Sequence, residues 1–181
     1  MNIRAFAPLV LCAASLLFVS VAQAARYPVS DETAKGAWRT VTLDTASKRS
    51  FRAVETRSYS DATLSVNATE GVCHLPWLEM RVALEERQSQ DHTRNLVPTR
   101  LRVDRAPLVD TMAEFFVEED DEGFYSHFYL GDLDTLLEQM SDGGQLVIGF
   151  DLGEISPWVM TFDLEGAGPA IAEMQRRCAN A

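Results

Sequence analysis

Apolar and polar residues alternate along most of the chain. The pattern is clearest in residues 78–84, where Leu78, Met80, Val82 and Leu84 occupy every second position and the charged Glu79 and Arg81 lie between them. Because successive side chains of a strand point to opposite faces of its sheet, this alternation predicts half-buried strands. The same argument, applied along the chain, predicts strands at residues 37–43, 50–57, 62–68, 78–84, 101–103, 112–117, 124–130, 145–150 and 158–162.

Residues 62–68 show how the two faces of a predicted strand differ. Leu64, Val66 and Ala68 are predicted to face the core. The residues between them are expected to face water; these are Thr63, Ser65 and Asn67.

Two segments have helical rather than alternating spacing. Leucine and methionine recur at three- and four-residue intervals from Leu133 to Met140. Asp132 is the predicted N-cap of this short internal helix, and the glycines at 143 and 144 are predicted to end it.

The second helix is predicted near the C-terminus. Gly168 is the expected N-cap and Pro169 the expected first helical residue, since proline is readily accepted where its missing N–H has no partner. Ile171, Met174 and Cys178 then share one face, which places the sulfur of Cys178 towards the core.

Nine short strands and two helices predict a mainly β fold. We expect a single-domain antiparallel β-sandwich or curled sheet, with the C-terminal helix packed against it. Residues 25–181 would form this domain.

Residues 1–24 have the organisation of a secretory signal peptide. Arg4 gives a positive start, residues 5–21 are apolar, and Ala22-Gln23-Ala24 is a small-x-small cleavage site. We therefore predict a periplasmic protein beginning at residue 25. Cys12 follows Leu11 where a lipid-attachment motif requires a small residue, and no other run has the length of a membrane span.

Two cysteines remain after this cleavage. In an oxidising compartment Cys73 and Cys178 are expected to form a disulfide. The alternative, a nucleophilic pair of Cys73 and His74, is disfavoured because adjacent strand residues point to opposite faces.

The chain is acidic. It has 181 residues and a formal net charge of −11, which becomes −12 when residues 1–24 are removed with their one arginine. This charge opposes binding to nucleic acids and anionic lipid surfaces, and it remains compatible with a basic protein partner.

Five consecutive acids lie between two predicted strands, as the tip of a hairpin. The spacing does not fit a calcium-binding EF-hand, because Tyr129 stands where the twelfth position requires Glu. A looser cation site and a solvated turn both remain open. We predict that the tip contacts a partner protein through Glu118, Glu119, Asp120, Asp121 and Glu122.

No other cluster predicts a catalytic, cofactor or metal site. The histidines His74, His92 and His127 are too far apart in sequence for a zinc motif, and His127 is expected to pack between two tyrosines. An arginine group could bind an anion, but ion pairing with the nearby Asp104 and Asp110 is the favoured interpretation. Its members are Arg94, Arg100, Arg102 and Arg105.

The order of these features resembles that of small exported bacterial proteins. Besides the signal peptide, the resemblance rests on Trp38 opening the first predicted strand, Cys73, residues 101–104, a Leu-rich helix before Gly143, and the ending Phe162-x-Leu-x-Gly166 to Cys178. The chain resembles the type VI secretion accessory proteins of the VasI/TagO kind and, more distantly, the invasion-associated locus B proteins. This resemblance implies a periplasmic, non-enzymatic β-sandwich protein and transfers no active site.

The sequence therefore predicts a non-enzymatic module that binds an envelope or secreted protein. One alternative is an immunity or inhibitor protein directed against a basic periplasmic toxin or enzyme. The other is a periplasmic hydrolase, for which no nucleophile and partner are visible.

Overall fold

The computed structural model describes residues 29–44, 48–90, 95–153 and 156–181. The predicted signal peptide, His92 and Arg94 lie outside these ranges. The elements are β1 (Val29–Lys35), β2 (Trp38–Asp44), β3 (Arg49–Glu55), β4 (Ala62–Thr69), β5 (Trp77–Ala83), β6 (Asn95–Val103), β7 (Val109–Val117), β8 (Gly123–Phe128), α1 (Leu133–Asp142), β9 (Gln145–Phe150), β10 (Trp158–Asp163) and α2 (Ala167–Ala179).

The ten strands of the described residues form one antiparallel sheet. Their order is β1-β2-β3-β4-β5-β8-β7-β6-β9-β10. Strands that are neighbours in sequence are neighbours in the sheet except at two places: β5 pairs with β8 instead of β6, and β9 pairs with β6 instead of β8. The three strands β6, β7 and β8 are therefore inserted in reverse order between β5 and β9.

The buried apolar core residues of the central strands lie on one face, which is the inner face of a curled sheet. Leu64, Val66 and Ala68 are fully buried there, as predicted, and so are Leu78 and Met80 of the next strand. Helix α2 covers this face at β2, β3 and β4, and α1 packs against α2. The predicted mainly β fold with a curled antiparallel sheet and a C-terminal helix is confirmed.

The curled sheet brings β10 against the beginning of β2. The indole of Trp38 donates to the Asp163 carbonyl at 2.8 Å, and the backbone N–H of Ala37 donates to the Glu165 carbonyl at 2.8 Å. On the same side, the N–H groups of Thr161 and Asp163 donate to the hydroxyl oxygens of two side chains that follow β3, Tyr59 and Ser58. Side chains therefore satisfy the edge of β10 that faces away from β9.

Two glycines permit this close approach. Gly166 has a φ of 91°, and a Cβ there would lie 1.8 Å from the carbonyl oxygen of Lys35. Gly36 has a φ of 63°, and its Cβ would lie 2.6 Å from the carbonyl oxygen of Glu165. Only glycine fits both the left-handed backbone and the contact.

The C-terminal helix begins earlier than predicted. Its N-cap is Gly166 and its first residue is Ala167, so the prediction of Gly168 and Pro169 for these positions is wrong. Pro169 is instead the third helical residue, which is still in the first turn where N–H groups have no helical acceptor. The internal helix agrees with prediction, because Asp132 caps it by accepting from the Thr135 N–H at 3.0 Å.

The outer face of the sheet is less exposed than the alternation predicts. Ser65 and Asn67 were expected in water but are 6% and 0% exposed. Asn67 lies between Arg52 and Trp77 on the two neighbouring strands, and its side-chain amide donates to the Ser65 hydroxyl at 3.0 Å. Long neighbouring side chains and internal hydrogen bonds thus keep polar residues out of water.

Candidate functional site

The acidic segment connects β7 to β8, as predicted. Glu118, Glu119 and Asp120 are exposed, whereas Asp121 and Glu122 are half-buried. Asp120 has a φ of 61°, a left-handed conformation that aspartate tolerates better than most residues and that reverses the chain. The five predicted contact residues thus divide into an exposed group of three and an inner pair.

A neighbouring loop, residues 84–88, holds the tip from the side. The backbone N–H of Gln88 donates to the Asp121 carbonyl, and the N–H of Asp120 donates to the Gln88 carbonyl, both at 2.8 Å. The N–H of Leu84 donates to the Glu122 carbonyl at 2.7 Å. These bonds fix the backbone at the end of the hairpin.

Asp121 anchors the tip to the sheet. Its carboxylate accepts from the Tyr125 hydroxyl, from the Glu122 N–H at 2.7 Å and from the Arg81 guanidinium at 3.4 Å. Burial alone would raise the pKa of Asp121, but the hydrogen bonds from Tyr125 and Glu122 and the charge of Arg81 outweigh it, so the pKa is lowered. Asp121 is therefore a structural anion.

An aromatic pair supports this anchor. Tyr125 stacks on Phe116 across the hairpin with ring centroids 5.2 Å apart, and the Arg81 guanidinium lies 5.8 Å from the Tyr125 ring centre. Burial and the hydrogen bond to Asp121 raise the pKa of Tyr125 far above its usual range, so the phenol stays a donor. The remaining inner acid, Glu122, lies 3.6 Å from the Arg87 guanidinium.

The five acids differ in exposure. Arg81 lies beside Asp121 and Arg87 beside Glu122, and Glu118, Glu119 and Asp120 are exposed on the backbone that residues 84–88 hold in place. The sequence did not reveal the role of Arg81, because its contact with the tip depends on the pairing of β5 with β8. The sequence indicated only that Arg81 faces outward from the predicted strand 78–84.

Arg94 of the arginine group lies outside the described residues. Arg100 pairs with Asp110 at 3.0 Å, as the favoured interpretation expected. Among the described residues, Asp104 does not form the expected ion pair with an arginine. Its carboxylate instead accepts from the backbone N–H groups of Gly144 and Gln145 at 2.8 and 3.1 Å.

His127 packs against Tyr129, one of the two tyrosines predicted to flank it, whereas the other, Tyr125, stacks on Phe116. His127 stacks on Tyr129 at a centroid distance of 5.3 Å and lies between Glu79 and Glu114 in the strand register. Among the described residues, no three histidine, cysteine or acidic side chains come together in an arrangement that could hold a metal ion.

Cys73 and Cys178 form the predicted disulfide, with Cα atoms 5.7 Å apart. The bond joins the turn after β4 to the last turn of α2. Cys73 therefore carries no free thiol. This excludes the disfavoured alternative in which Cys73 and His74 form a nucleophilic pair.

The sequence did not predict a shallow cleft of about 470 Å³ on the outer face of β6, β7 and β9. Pro98, Met112 and the backbone of Gly149 line it, with Arg100 and Asp110 at one side. Gly149, in the predicted strand 145–150, was a local indication of the cleft, because it leaves that position of the outer face without a side chain.

No helix within the described ranges has the length and apolar character needed to cross a bilayer. No protein-family model and no curated protein sequence matches the chain. Among solved structures, the crystal structure of invasion associated protein B from Bartonella henselae is similar, with a TM-score of 0.57 and 12% identity over 83% of this chain and 99% of that chain. At this identity the similarity shows the fold alone. It agrees with the more distant part of the predicted resemblance, and the comparisons give the VasI/TagO part no support.

Proposed function

We propose that the protein is a non-enzymatic module, exported to the periplasm with residues 1–24 removed, that binds an envelope or secretion-associated protein. The proposed contact is the outer group of the acidic tip, which consists of Glu118, Glu119 and Asp120. Asp121 and Glu122 serve to fix this group in place.

The observation that carries the proposal is the anchoring of an acidic tip. Neighbouring carboxylates repel one another, yet here the backbone that carries them is held by residues 84–88 and by Asp121. A contact surface that is already ordered loses less conformational entropy on binding. Such anchoring suits a binding surface.

Charge suggests a basic partner. The exported chain would carry a net charge of −12, and a strongly negative protein attracts a basic one over distances of about a Debye length. Rates of association should therefore fall as salt is added. Similarity in fold to a protein named for invasion is compatible with this role.

The same tip also suits an immunity or inhibitor protein. Three projecting carboxylates could occupy the basic substrate cleft of a periplasmic toxin or enzyme. Inhibition of that enzyme by the purified protein would favour this second candidate over a secretion accessory.

The proposal can be tested by affinity capture from the native periplasm. Wild-type protein is compared with a triple variant, Glu118→Ser, Glu119→Ser and Asp120→Ser, which leaves the anchoring residues unchanged. We expect the triple variant to lose one specific partner that wild type captures. Binding of this partner to wild type should weaken when salt is raised from about 0.05 to 0.5 M. Melting temperatures should agree within a few degrees.

A matched control removes the same charge elsewhere. Asp134, Glu138 and Asp142 are exposed along α1, and their triple change to Ser alters net charge equally. This control should keep the partner. If both variants lost the partner equally, only net charge would matter for binding. If both variants kept the partner, the acidic tip would not be the contact. Turnover of a periplasmic substrate by pure protein would favour the hydrolase alternative.

A further inference from the structure

In the described part of the chain, β1 and β10 are the two edge strands of the sheet. The hydroxyl groups of Tyr59 and Ser58 cover the outer edge of β10, as described above. Strand β1 is seven residues long, lacks proline and is mostly exposed. Because the N–H and C=O groups of an exposed edge strand readily pair with another chain, folded proteins protect such edges.

A β-bulge interrupts β1. Between Ser30 and Thr33, two residues of β1 lie opposite a single residue of β2. Asp31, the first of the two, has a φ of 51°. A bulge bends its strand and increases the local twist, which turns an edge away from the geometry that a further strand needs. A left-handed aspartate is less favourable than a glycine, so contacts elsewhere must hold this conformation.

Arg177, in the last turn of α2, holds the bulge from the inner face of the sheet. Its guanidinium donates to the carbonyl oxygen of Asp31 and to the hydroxyl of Thr33, the latter at 2.7 Å. Glu173 fixes the arginine in turn, because its carboxylate accepts from Nε of Arg177 at 2.8 Å. The Arg177 side chain is only 14% exposed, so water competes little for these contacts. One buried arginine therefore joins both sides of the bulge to the helix.

We propose that this bulge, held by Arg177, keeps β1 from pairing edge to edge with β1 of a second copy of the chain. A second copy fits this edge, because a strand can pair antiparallel with itself about a two-fold axis and so form every contact twice. With residues 1–24 removed, as proposed above, four residues precede β1, too few to turn back and supply a further strand there. The acidic tip lies on another hairpin, so a failure of the tip to bind a partner would not affect the role of Arg177.

Deletion of Asp31 tests the bulge. It leaves one residue between Ser30 and Thr33, so β1 can pair with β2 without interruption. Asp31→Gly is the matched control, because it removes the same charge but keeps the extra residue in a conformation that glycine adopts readily. Sedimentation velocity of the exported protein, residues 25–181, over a range of concentrations measures self-association. We expect the deletion variant to associate at least about tenfold more tightly than Asp31→Gly.

Arg177→Gln tests the support of the bulge without changing the length of the chain. Arg176→Gln is the control, because it removes an equal charge from the same turn of α2, where Arg176 donates to Glu173 at 2.9 Å. We expect Arg177→Gln to associate more tightly than Arg176→Gln. In any dimer formed this way, the N–H groups of residues 29–35 should exchange with solvent more slowly as the protein concentration is raised.

Several results would overturn the proposal. One is equal association of the deletion variant and Asp31→Gly, since the bulge would then not protect the edge. Another is a dimer of the deletion variant in which residues 29–35 exchange as fast as in the monomer, since it would use a different surface. If the deletion prevents folding, the arginine variants decide, and equal association of Arg177→Gln and Arg176→Gln would contradict the role of Arg177.

Discussion

At the scale of single residues, Ser126 places a hydroxyl in the apolar interior. It is fully buried between Met80 and Phe115 in the register, and its Oγ has no hydrogen-bond partner in the described parts of the chain. Because an unpartnered buried hydroxyl loses its hydration, Ser126→Ala should raise the free energy of unfolding by about 1 kcal/mol. Urea denaturation measures the change.

Ser58→Ala is the matched control for that prediction. The Ser58 hydroxyl accepts from the Asp163 N–H at 2.8 Å and donates to the buried carboxylate of Glu55 at 3.1 Å. Its removal should lower the free energy of unfolding by about 1–2 kcal/mol. Destabilisation of similar size by both variants would show that the Ser126 hydroxyl has a partner after all.

Gly71 and Gly166 share a left-handed backbone conformation, but only Gly166 closely approaches another part of the backbone. Replacing each by alanine therefore distinguishes the cost of backbone strain from the cost of a steric clash. Gly71 has a φ of 84°, and among the described residues no atom lies within 4 Å of a Cβ there, so Gly71→Ala should cost about 1–2 kcal/mol, the left-handed penalty alone. Gly166→Ala adds the contact with the Lys35 carbonyl and should cost several kcal/mol more or prevent folding. Thermal and urea denaturation of both variants test this. Equal losses would contradict the close approach of β10 to β2.

Burial of single residues was predictable only on the inner face. Leu64 and Val66 are as buried as their alternation indicates, whereas Asn67 and Glu79 are buried on the face expected to be wet. The alternation of apolar and polar residues predicts which face of the sheet a side chain points to. It does not predict which long side chains of the same face cover it. Trp77 of β5 lies opposite Asn67 of β4, and its indole donates to Glu79, two residues further along β5, at 3.4 Å.

At the scale of elements, the β7–β8 hairpin should depend on pH through Asp121. Its pKa is lowered in the fold, so its contribution to stability is present above the unfolded value, about 3.9, and is lost as pH falls through the folded pKa. Wild type should therefore exceed Asp121→Asn in stability by a constant amount from pH 5 to 8. The difference should shrink below about pH 4.

Denaturation by urea at pH 7, 5, 4 and 3 measures that difference. Glu138→Gln, an exposed change on α1, is the control and should match wild type throughout. A stability difference for Asp121→Asn that grows on acidification would have the wrong sign and would contradict the anchoring role.

Most elements were predictable because their determinants are local. For example, the residues that begin and end α1, Asp132 and Gly143, directly adjoin the helix in the sequence. Strand β1, residues Val29–Lys35, was missed because it is mostly exposed and lacks an apolar alternation. Its position depends on pairing with β2 and on Arg177 of α2, which donates to the Thr33 hydroxyl at 2.7 Å. The start of α2 was misplaced for a similar reason, since Gly166 is selected by a contact with distant Lys35.

At the scale of the whole molecule, the disulfide joins positions separated by 105 residues. A bond that closes a loop of this length reduces the entropy of the unfolded chain by an amount worth about 4–5 kcal/mol. Cys73→Ala with Cys178→Ala should lower the free energy of unfolding by roughly that much. Urea denaturation with and without a reductant is the measurement, and the reductant should affect wild type but leave the double variant unchanged.

The candidate site was only partly predictable from the sequence. Five consecutive acids identified the tip, because charge is visible residue by residue. The division into Glu118, Glu119 and Asp120 outside and Asp121 and Glu122 inside depends on strand pairing that no local pattern encodes.

Site-specific photo-crosslinking in the native cell tests most directly whether the tip is a binding surface. A photoreactive residue replaces Glu119 in one strain and Glu138 on α1 in another. We predict a discrete crosslinked adduct to one protein from position 119, none from position 138, and loss of the adduct when Glu118 and Asp120 are also changed to Ser. The absence of any adduct at 119, or the same adduct from both positions, would contradict the account.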